Sequence, residues 1–484
     1  MKHLKIFSLV LYLSMVIIGC NQKAEKKEAT IKETEEETDF KPISNETLES
    51  SVIYEANIRQ YSPEGTFSEF TKDIPQLKEL GVKVIWLMPV YPISMKNRKA
   101  TGDLSVEDIE DPEERKKYLG SYYAISDYTA INPEFGTEKD FDELIETAHR
   151  NGMYVILDWV ANHTGWDHKW IEEHPEYYHK DKDGNVTDPI NPDTGESWGW
   201  TDVAHLNYEN KDLWKAMNQE MIFWVEKHNI DGFRCDVAGN VPTEYWNQIV
   251  PKLKEEKPVF MLAESEDKDL FYEAFDMGYN WEGHHIMNEI AQGKMSVKDW
   301  DNYMKKIDTT YQDDDYLMNF VTNHDENSWN GTVKERMGEA SETMLAFTYT
   351  LPGMPLIYSG QEYGMNKRLK FFEKDSIPKT KNEVWTILEK LGTLKNENPA
   401  LNGAKKAASY QRLETNNDEN IIAFERQKDG EKIYYIANFS DKKQLFKLPL
   451  SGKFTNFMNN KEIELKDEPH EFQAWEYKIL VKNE

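Results

Sequence analysis

The feature that most constrains the fold is a regular alternation of short apolar runs with segments of helical periodicity. Between Phe67 and Leu80, apolar residues recur every three or four positions, which predicts one buried face of a helix. The run that follows, VKVIWLM at 82–88, is almost continuously apolar and predicts a strand. Continuous rather than alternating apolar strands are typical of parallel sheets covered on both faces. Further runs of this kind lie at 153–157, 259–263, 317–322 and 354–358.

The repeated strand–helix units extend from residue 51 to residue 400 and predict an α/β fold. A barrel accommodates so many units better than an open sheet, although periodicity alone does not choose between the two. The aromatic, loop-like stretch at 159–210 is too long for an ordinary connection, which predicts a small inserted domain. From 401 to 484, strand-like runs occur without helices and predict a separate antiparallel β domain.

Acidic residues end or follow the predicted strands. They are Asp158, Asp236, Glu264 and Asp325. In a barrel these strand ends converge on one face, where active sites are built. Four carboxylates on one face repel one another, so chemistry explains them better than stability does, and glycoside cleavage needs two of them. The alternative is that each carboxylate merely caps a following helix.

Four short segments around these carboxylates occur in a fixed order. They are DWVANH at 158–163, GFRCD at 232–236, Glu264 after its apolar strand, and NHD at 323–325. This series resembles the signature of the α-amylase family of glycoside hydrolases, over roughly residues 52–484. The resemblance implies a (β/α)8 TIM barrel at 51–400, interrupted by a domain B at 159–210, with a C-terminal antiparallel β domain at 401–484.

The resemblance also implies a catalytic role for three carboxylates. Asp236 is similar to the nucleophile that forms a covalent glycosyl-enzyme, and Glu264 to the general acid/base. Asp325 is similar to the third carboxylate, which stabilises the oxocarbenium-like transition state. We expect the pKa of Glu264 to be raised, because a general acid must hold its proton near neutrality.

Five further residues are expected to bind substrate. Tyr123 resembles a stacking platform, and His163 and His324 resemble donors to sugar hydroxyls at the reacting subsite. Asp158 is the carboxylate of the first signature segment. Arg234 lies two residues before the nucleophile, so in a strand the two side chains point to the same side. A guanidinium there is expected to keep the nucleophile ionised and aimed.

A calcium site is a further implication of the resemblance. Asn162 matches the family's calcium ligand at the base of domain B, and Asp202 is a candidate second ligand. A hard cation needs several oxygen ligands, of which Asn supplies one. Where the family often has a His whose carbonyl completes the site, this chain has Asn240, which weakens the match. No organic cofactor is expected.

The inserted segment is crowded with tryptophan. Trp166, Trp170, Trp198 and Trp200 all lie within it. Their faces could pack against sugar rings as subsites, or they could form the core of a small domain. The sequence favours neither reading.

The N-terminus predicts a targeting segment. Residues 1–20 have a charged start and an apolar stretch too short to span a bilayer. They end in IIGC, which resembles the lipobox of bacterial lipoproteins, in which Cys20 is lipidated; an ordinary signal peptide is the alternative. Residues 21–50 are acidic and poor in apolar residues, which predicts a disordered tether, with a short charged helix as the alternative. We therefore expect the protein to be lipid-anchored in the bacterial cell envelope, at the outer membrane on its periplasmic or surface face.

The charge balance excludes some partners. The 484 residues include 58 Lys and Arg against 87 Asp and Glu, a formal net charge of −29. Nucleic acids are bound by proteins with a basic surplus, so no nucleic-acid partner is expected. An anionic lipid surface is disfavoured for the same reason, which leaves the lipid on Cys20 as the only expected link to a membrane.

The sequence therefore predicts a retaining glycoside hydrolase that cleaves α-glucosidic bonds in starch, maltodextrin or related α-glucans. Neopullulanase-like, α-glucosidase-like or transglycosylase specificity is the closest alternative, because such enzymes differ in subsite loops and not in the carboxylates. A non-catalytic glucan-binding barrel is the alternative from a different class. Loss of one carboxylate would indicate it, and none of the four is lost.

We expect Cys20→Ala to move the protein from the membrane fraction to the soluble fraction, because one acylated cysteine would be its only anchor. Cell fractionation followed by immunoblotting measures this. Cys235→Ala, the same change at the other cysteine of the chain, should leave the protein membrane-bound. A wild-type protein found wholly in the soluble fraction would contradict the lipoprotein prediction.

Overall fold

The computed structural model describes residues 40–101, 104–191 and 194–482. The predicted signal peptide with Cys20, and residues 21–39 of the predicted tether, lie outside these ranges. The strands are β1 (Val52–Ala56), β2 (Val82–Leu87), β3 (Tyr154–Trp159), β4 (His163–Gly165), β5 (Val203–His205), β6 (Gly232–Cys235), β7 (Phe260–Ala263), β8 (Met277–Tyr279), β9 (Tyr316–Asn319), β10 (Met354–Tyr358), β11 (Ser409–Arg412), β12 (Ile421–Lys428), β13 (Glu431–Asn438), β14 (Gln444–Phe446), β15 (Gly452–Asn456), β16 (Lys461–Leu465), β17 (His470–Phe472) and β18 (Tyr477–Lys482). The α-helices are α1 (Asn45–Glu49), α2 (Ile58–Tyr61), α3 (Phe67–Thr71), α4 (Ile74–Leu77), α5 (Pro112–Arg115), α6 (Glu138–Arg150), α7 (Trp170–Glu173), α8 (Lys211–His228), α9 (Thr243–Glu256), α10 (Trp281–Ala291), α11 (Val297–Thr310), α12 (Val333–Met337), α13 (Ser341–Thr350) and α14 (Glu383–Glu397).

Eight strands close into a parallel barrel in the order β1-β2-β3-β6-β7-β8-β9-β10. This confirms the predicted TIM barrel. The sequence pattern did not reveal β8, because it has only three residues and a glycine at its centre, too little for an apolar run to stand out. Its Tyr279 is fully buried and contributes to the site described below.

Gly232 is required at the start of β6. Its φ is 147°, and a Cβ built there would lie 1.9 Å from the carbonyl oxygen of Phe260 on β7. The glycine of the GFRCD segment therefore permits close approach of two barrel strands. That approach sets the position of Arg234 two residues later.

Two antiparallel units are attached to the barrel. In the insertion, β4 pairs with β5. After α14, β11-β12-β13-β18-β15-β16 form a six-stranded sheet and β14 pairs with β17, which confirms the predicted C-terminal β domain. The guanidinium of Arg426 on β12 is fully buried and donates hydrogen bonds to the carbonyls of Thr350 and Asn402, which fixes this sheet against the barrel.

Residues 40–50 are folded, so the tether predicted for 21–50 is wrong over this part. Ser44 caps α1, and the Phe40 ring stacks on His149 with centroids 4.3 Å apart. Ile43 and Leu48 are buried among side chains at the N-terminal ends of the barrel strands. Ile43 and Leu48 were too weak a sequence signal to predict that this polar segment folds, because their burial depends on a surface formed by distant strands. Within the described ranges, no helix combines the length and apolarity needed to cross a bilayer.

We expect Leu48→Ala to lower the free energy of unfolding by about 2–5 kcal/mol, the range for a buried leucine replaced by alanine. Urea unfolding followed by circular dichroism measures this. Glu46→Ala on the exposed face of the same helix should have little effect. An equal change in unfolding free energy in the two variants would mean that α1 does not pack on the barrel.

Candidate active site

The predicted carboxylates meet at the C-terminal face of the barrel. Asp158 lies in β3, Asp236 follows β6 directly, and Glu264 follows β7 directly. Asp325 lies after β9 and immediately before a π-helical turn. Its side chain is 33% exposed, whereas those of Asp236 and Glu264 are 11% and 12% exposed. The fourth carboxylate therefore faces the opening of the site.

One guanidinium holds three of these carboxylates. Arg234 on β6 is fully buried, and its Nη1 lies 2.8 Å from Oδ1 of Asp158 and 3.0 Å from Oδ1 of Asp236. Its Nη2 lies 2.9 Å from Oε2 of Glu264. Its Nε donates a hydrogen bond to the hydroxyl of Tyr279, at 3.1 Å. The arginine thus joins β3, β6, β7 and β8 through side chains.

The three carboxyl groups that contact Arg234 have pKa values near neutral pH. Burial raises the pKa of Asp236 to about 7, that of Glu264 to about 7 and that of Asp158 to about 6, while the charge of Arg234 acts in the opposite direction on each. Because one cation is shared, the protons belong to the cluster rather than to single residues. The raised pKa of Glu264 has the predicted direction. For Asp236 we expected the charge of Arg234 to keep the pKa low. The loss of hydration on burial outweighs that charge and raises the pKa instead.

A second network surrounds His324. Its Nδ1 lies 2.5 Å from Oε1 of Glu55, and its Nε2 lies 2.7 Å from the hydroxyl of Tyr123, which donates to Oδ2 of Asp158 at 3.1 Å. Burial acts to lower the pKa of His324, but the neighbouring charges of Asp325 and Glu55 outweigh it and raise the pKa to about 9. The imidazole is therefore a cation that donates from both ring nitrogens.

Sequence reasoning missed Glu55 and Trp86. Glu55 is fully buried in β1, and burial raises its pKa. The indole of Trp86 on β2 donates to Oδ2 of Asp158 at 3.1 Å and lies against the guanidinium of Arg234. The available signal for Glu55 was an acidic residue within the otherwise apolar run VIYEA at 52–56. No sequence signal distinguished Trp86 from a core tryptophan.

The backbone is strained where the two central carboxylates meet. Val237 directly follows Asp236 and has φ 36° and ψ 48°, a left-handed conformation that β-branched residues avoid. Its N–H donates a hydrogen bond to Oε2 of Glu264 at 2.8 Å. Strained backbone conformations of this kind cluster at functional sites. Here the strained conformation directs the N–H of Val237 towards Glu264.

His163 lies at the start of β4, beside the insertion. Its Nδ1 lies 3.2 Å from Nδ2 of Asn162, and its ring meets Trp200 edge-on, with centroids 5.9 Å apart. Burial lowers its pKa to about 3, so it is neutral at physiological pH. The two predicted histidines therefore differ in charge.

The structure does not bring the two predicted calcium ligands together. Leu206 donates its N–H to the carbonyl of Asn162, whereas Asp202 directly precedes β5, four residues earlier in the chain. At the rise of an extended chain, the backbone of Asp202 lies roughly 13 Å from that of Leu206, the residue that pairs with Asn162. Asn162 instead lines a cavity of about 920 Å³ shared with His179 and Asn240. Asn162 and Asp202 thus lie beside opposite ends of the β4–β5 pair, an arrangement that gives no support to a shared ion, and no step below depends on one.

The tryptophans of the insertion divide into two groups. Trp170 is buried and packs edge-on against His168 and Tyr177, so it belongs to the core. Trp198 is 43% exposed and stacks on Trp200 with centroids 5.9 Å apart. Trp200 of this pair meets His163, whereas Trp166 is partly buried and packs against the core.

Comparison with known proteins agrees with this fold. The family model for the alpha-amylase catalytic domain matches residues 32–482. The solved structure of a noncanonic maltogenic alpha-amylase, AmyB from Thermotoga neapolitana, superposes with a TM-score of 0.78 at 27% identity, covering 90% of this chain and 99% of that one. Alpha-amylase MalA of Haloarcula japonica is 24% identical across 85% of this chain. A maltose-1-phosphate maltosyltransferase of Picrophilus torridus is 25% identical across 77%. The chain spans 58% of the length of each of these last two relatives.

We expect the stability that His324 contributes to depend on pH. Its folded pKa of about 9 lies above the unfolded value of about 6.5, so the contribution is fully present below about pH 6.5 and is lost as pH rises through about 9. The difference in unfolding free energy between wild type and His324→Gln should therefore be largest near pH 6 and shrink by a few kcal/mol towards pH 10.

Urea unfolding at a series of pH values measures this difference. His163→Gln is the matched control, because a histidine with a pKa of about 3 is neutral in the folded protein throughout this range. Above about pH 7 its effect should be independent of pH, since the unfolded histidine is then neutral too. A pH-independent effect of His324→Gln would contradict a charged His324.

Proposed function

The chain belongs to the α-amylase family, and on that premise we propose that it hydrolyses α-glucosidic bonds in starch, maltodextrin or a related α-glucan, with retention of anomeric configuration. The observation that carries the proposal is the attachment of Asp236 and Glu264 to one guanidinium, at 3.0 and 2.9 Å. A retaining pair stands about 5–5.5 Å apart, whereas an inverting pair stands about 6.5–9.5 Å apart with a water between them. Two carboxylates held by one arginine fit the shorter spacing.

Each residue then has a distinct task. Asp236 attacks the anomeric carbon while Glu264 protonates the departing glycosidic oxygen, and a covalent glycosyl ester forms on Asp236. Glu264, now ionised, removes a proton from water, which attacks the ester and releases the sugar with its original configuration. Asp325, at the opening, lies where its charge can stabilise the oxocarbenium-like transition state. The pKa of about 7 at Glu264 suits both acid and base roles.

Transfer rather than hydrolysis is the second candidate. The curated relatives include maltosyltransferases and a 4-alpha-glucanotransferase of Thermotoga neapolitana. The two reactions share the glycosyl ester and differ only in whether water or a sugar hydroxyl accepts it. Neopullulanase-like or α-glucosidase-like specificity remains a further alternative. All four carboxylates are present and gathered, which disfavours a non-catalytic glucan-binding barrel.

The proposal includes a location. Its support is the IIGC sequence ending at Cys20, which favours a lipid anchor in the bacterial cell envelope. An enzyme held there would act on α-glucans outside the cytoplasm.

The direct test is incubation of the purified protein with amylose and with pullulan, with products followed by NMR. We expect the first product to be the α-anomer. A β-anomer would overturn the retaining mechanism. Products longer than the substrate would establish transfer, and cleavage of pullulan without cleavage of amylose would establish the neopullulanase-like alternative.

We expect Asp236→Asn to lower kcat by several orders of magnitude, because it removes the nucleophile while keeping the shape of the side chain. Glu264→Gln should also be inactive on amylose but should still react with α-glucosyl fluoride, whose leaving group needs little protonation. A covalent sugar should then accumulate on Asp236, detectable by mass spectrometry.

Asp212→Asn makes the same chemical change at an exposed position on α8 and should retain wild-type turnover. Near-normal activity of Asp236→Asn would contradict the assigned nucleophile.

A further inference from the structure

Trp329 is a large apolar side chain that is 50% exposed, only four residues after Asp325. It lies in the π-helical turn Glu326–Asn330, which starts directly after that carboxylate. Turns of this kind are rare and frequently occur at functional sites. Exposure of the apolar indole to water is unfavourable, and a ligand that bound at the site and covered the indole would remove that surface from water.

Buried contacts of Glu326 fix the π-helical turn that carries Trp329. The carboxylate of Glu326 is buried and lies 3.1 Å from Nε2 of His284 and 3.4 Å from Nη1 of Arg336. Its other oxygen accepts a hydrogen bond from Nδ2 of Asn330 at 2.8 Å. The backbone that carries Trp329 is thus fixed before any ligand arrives, which lowers the entropy lost on binding.

The same turn is tied to a second aromatic segment. Oδ1 of Asn327 accepts the N–H of Leu369 at 2.8 Å, and its Nδ2 donates to the carbonyl of Lys367 at 3.0 Å. These bonds place Phe371 against Trp329, with ring centroids 5.0 Å apart. The indole of Trp329 therefore packs against Phe371 on one side and is exposed to solvent on another.

The aromatic series continues to the catalytic cluster. The rings of Phe371 and Tyr123 are nearly parallel, 9° apart, with centroids at 6.3 Å. The hydroxyl of Tyr123 in turn donates to Asp158. Three rings, here called the aromatic ladder (Tyr123, Phe371 and Trp329), thus lead from the carboxylates to the surface.

The position of the ladder relative to the general acid indicates which part of a substrate it faces. Asp158, to which the ladder is joined, contacts Nη1 of Arg234, whereas Glu264 contacts Nη2. The ladder therefore meets the cluster at Asp158, whereas the general acid is held by the other terminal nitrogen of the guanidinium. The nucleophile Asp236 also contacts Nη1, and the leaving group must lie beside the acid that protonates it, so attachment at Asp158 favours the sugars that stay on the nucleophile.

We propose that Trp329 is a stacking platform for a glucose ring of an α-glucan on the glycone side, at least one ring beyond the sugar that reacts. Pyranose rings have apolar faces of C–H groups, and a flat indole offers the largest matching surface. The platform makes the enzyme prefer substrates with several glycone sugars over those with one. This inference rests on the proposed glycosidase function.

The test uses α-maltotriosyl fluoride and α-glucosyl fluoride, because fluoride as the leaving group places every sugar on the glycone side. The measured quantity is the ratio of kcat/KM for maltotriosyl fluoride to that for glucosyl fluoride. We expect Trp329→Ala to lower this ratio about tenfold, which corresponds to one good aromatic contact. Trp329→Phe should keep most of the ratio, because it retains a ring.

Leu445→Ala, which truncates an apolar side chain that is 61% exposed in the C-terminal β domain, is the matched control and should keep the wild-type ratio. Thermal melting of each variant verifies that it is folded. An unchanged ratio in Trp329→Ala would overturn the platform, and so would a Phe variant as impaired as the Ala variant. Failure of the wild-type protein to turn over either fluoride would instead overturn the proposed function.

Discussion

The buried guanidinium of Arg234 is the interaction on which the catalytic face depends. Three carboxylates from β3, β6 and β7 could not stay together in a dry site without a cation between them. Removing one partner of a buried ionic group typically costs about 3–5 kcal/mol, because the remaining charges lose their compensation. The arrangement requires neighbouring parallel strands whose ends meet, and the closed barrel supplies them.

The second constraint is the charged His324. It stands between Glu55 on β1 and Tyr123, and through the tyrosine it reaches the same Asp158 that Arg234 holds. Two cations thus stabilise five acidic groups, and the balance between burial and these cations leaves the central carboxyls with pKa values near 7. A site so balanced can both donate and accept a proton at neutral pH, as a retaining glycosidase requires.

Around this rigid centre, exposed aromatic side chains come from loops. The insertion contributes the Trp198–Trp200 pair beside His163, and the turn after Asp325 contributes Trp329. Both lie outside the signature segments.

The sequence by itself determined the strand–helix alternation, the antiparallel C-terminal domain and the order of the signature segments, because each depends on local periodicity or on residues a few positions apart. Tertiary structure alone decided the remainder. The partner of Glu55 lies 269 residues away, β8 is too short to have a pattern, and the register of β4 with β5 separates Asn162 from Asp202. The burial of Ile43 and Leu48 likewise depends on what distant strands cover. Side-chain burial, pKa and the meeting of ligands are non-local quantities, so only the folded barrel could set them.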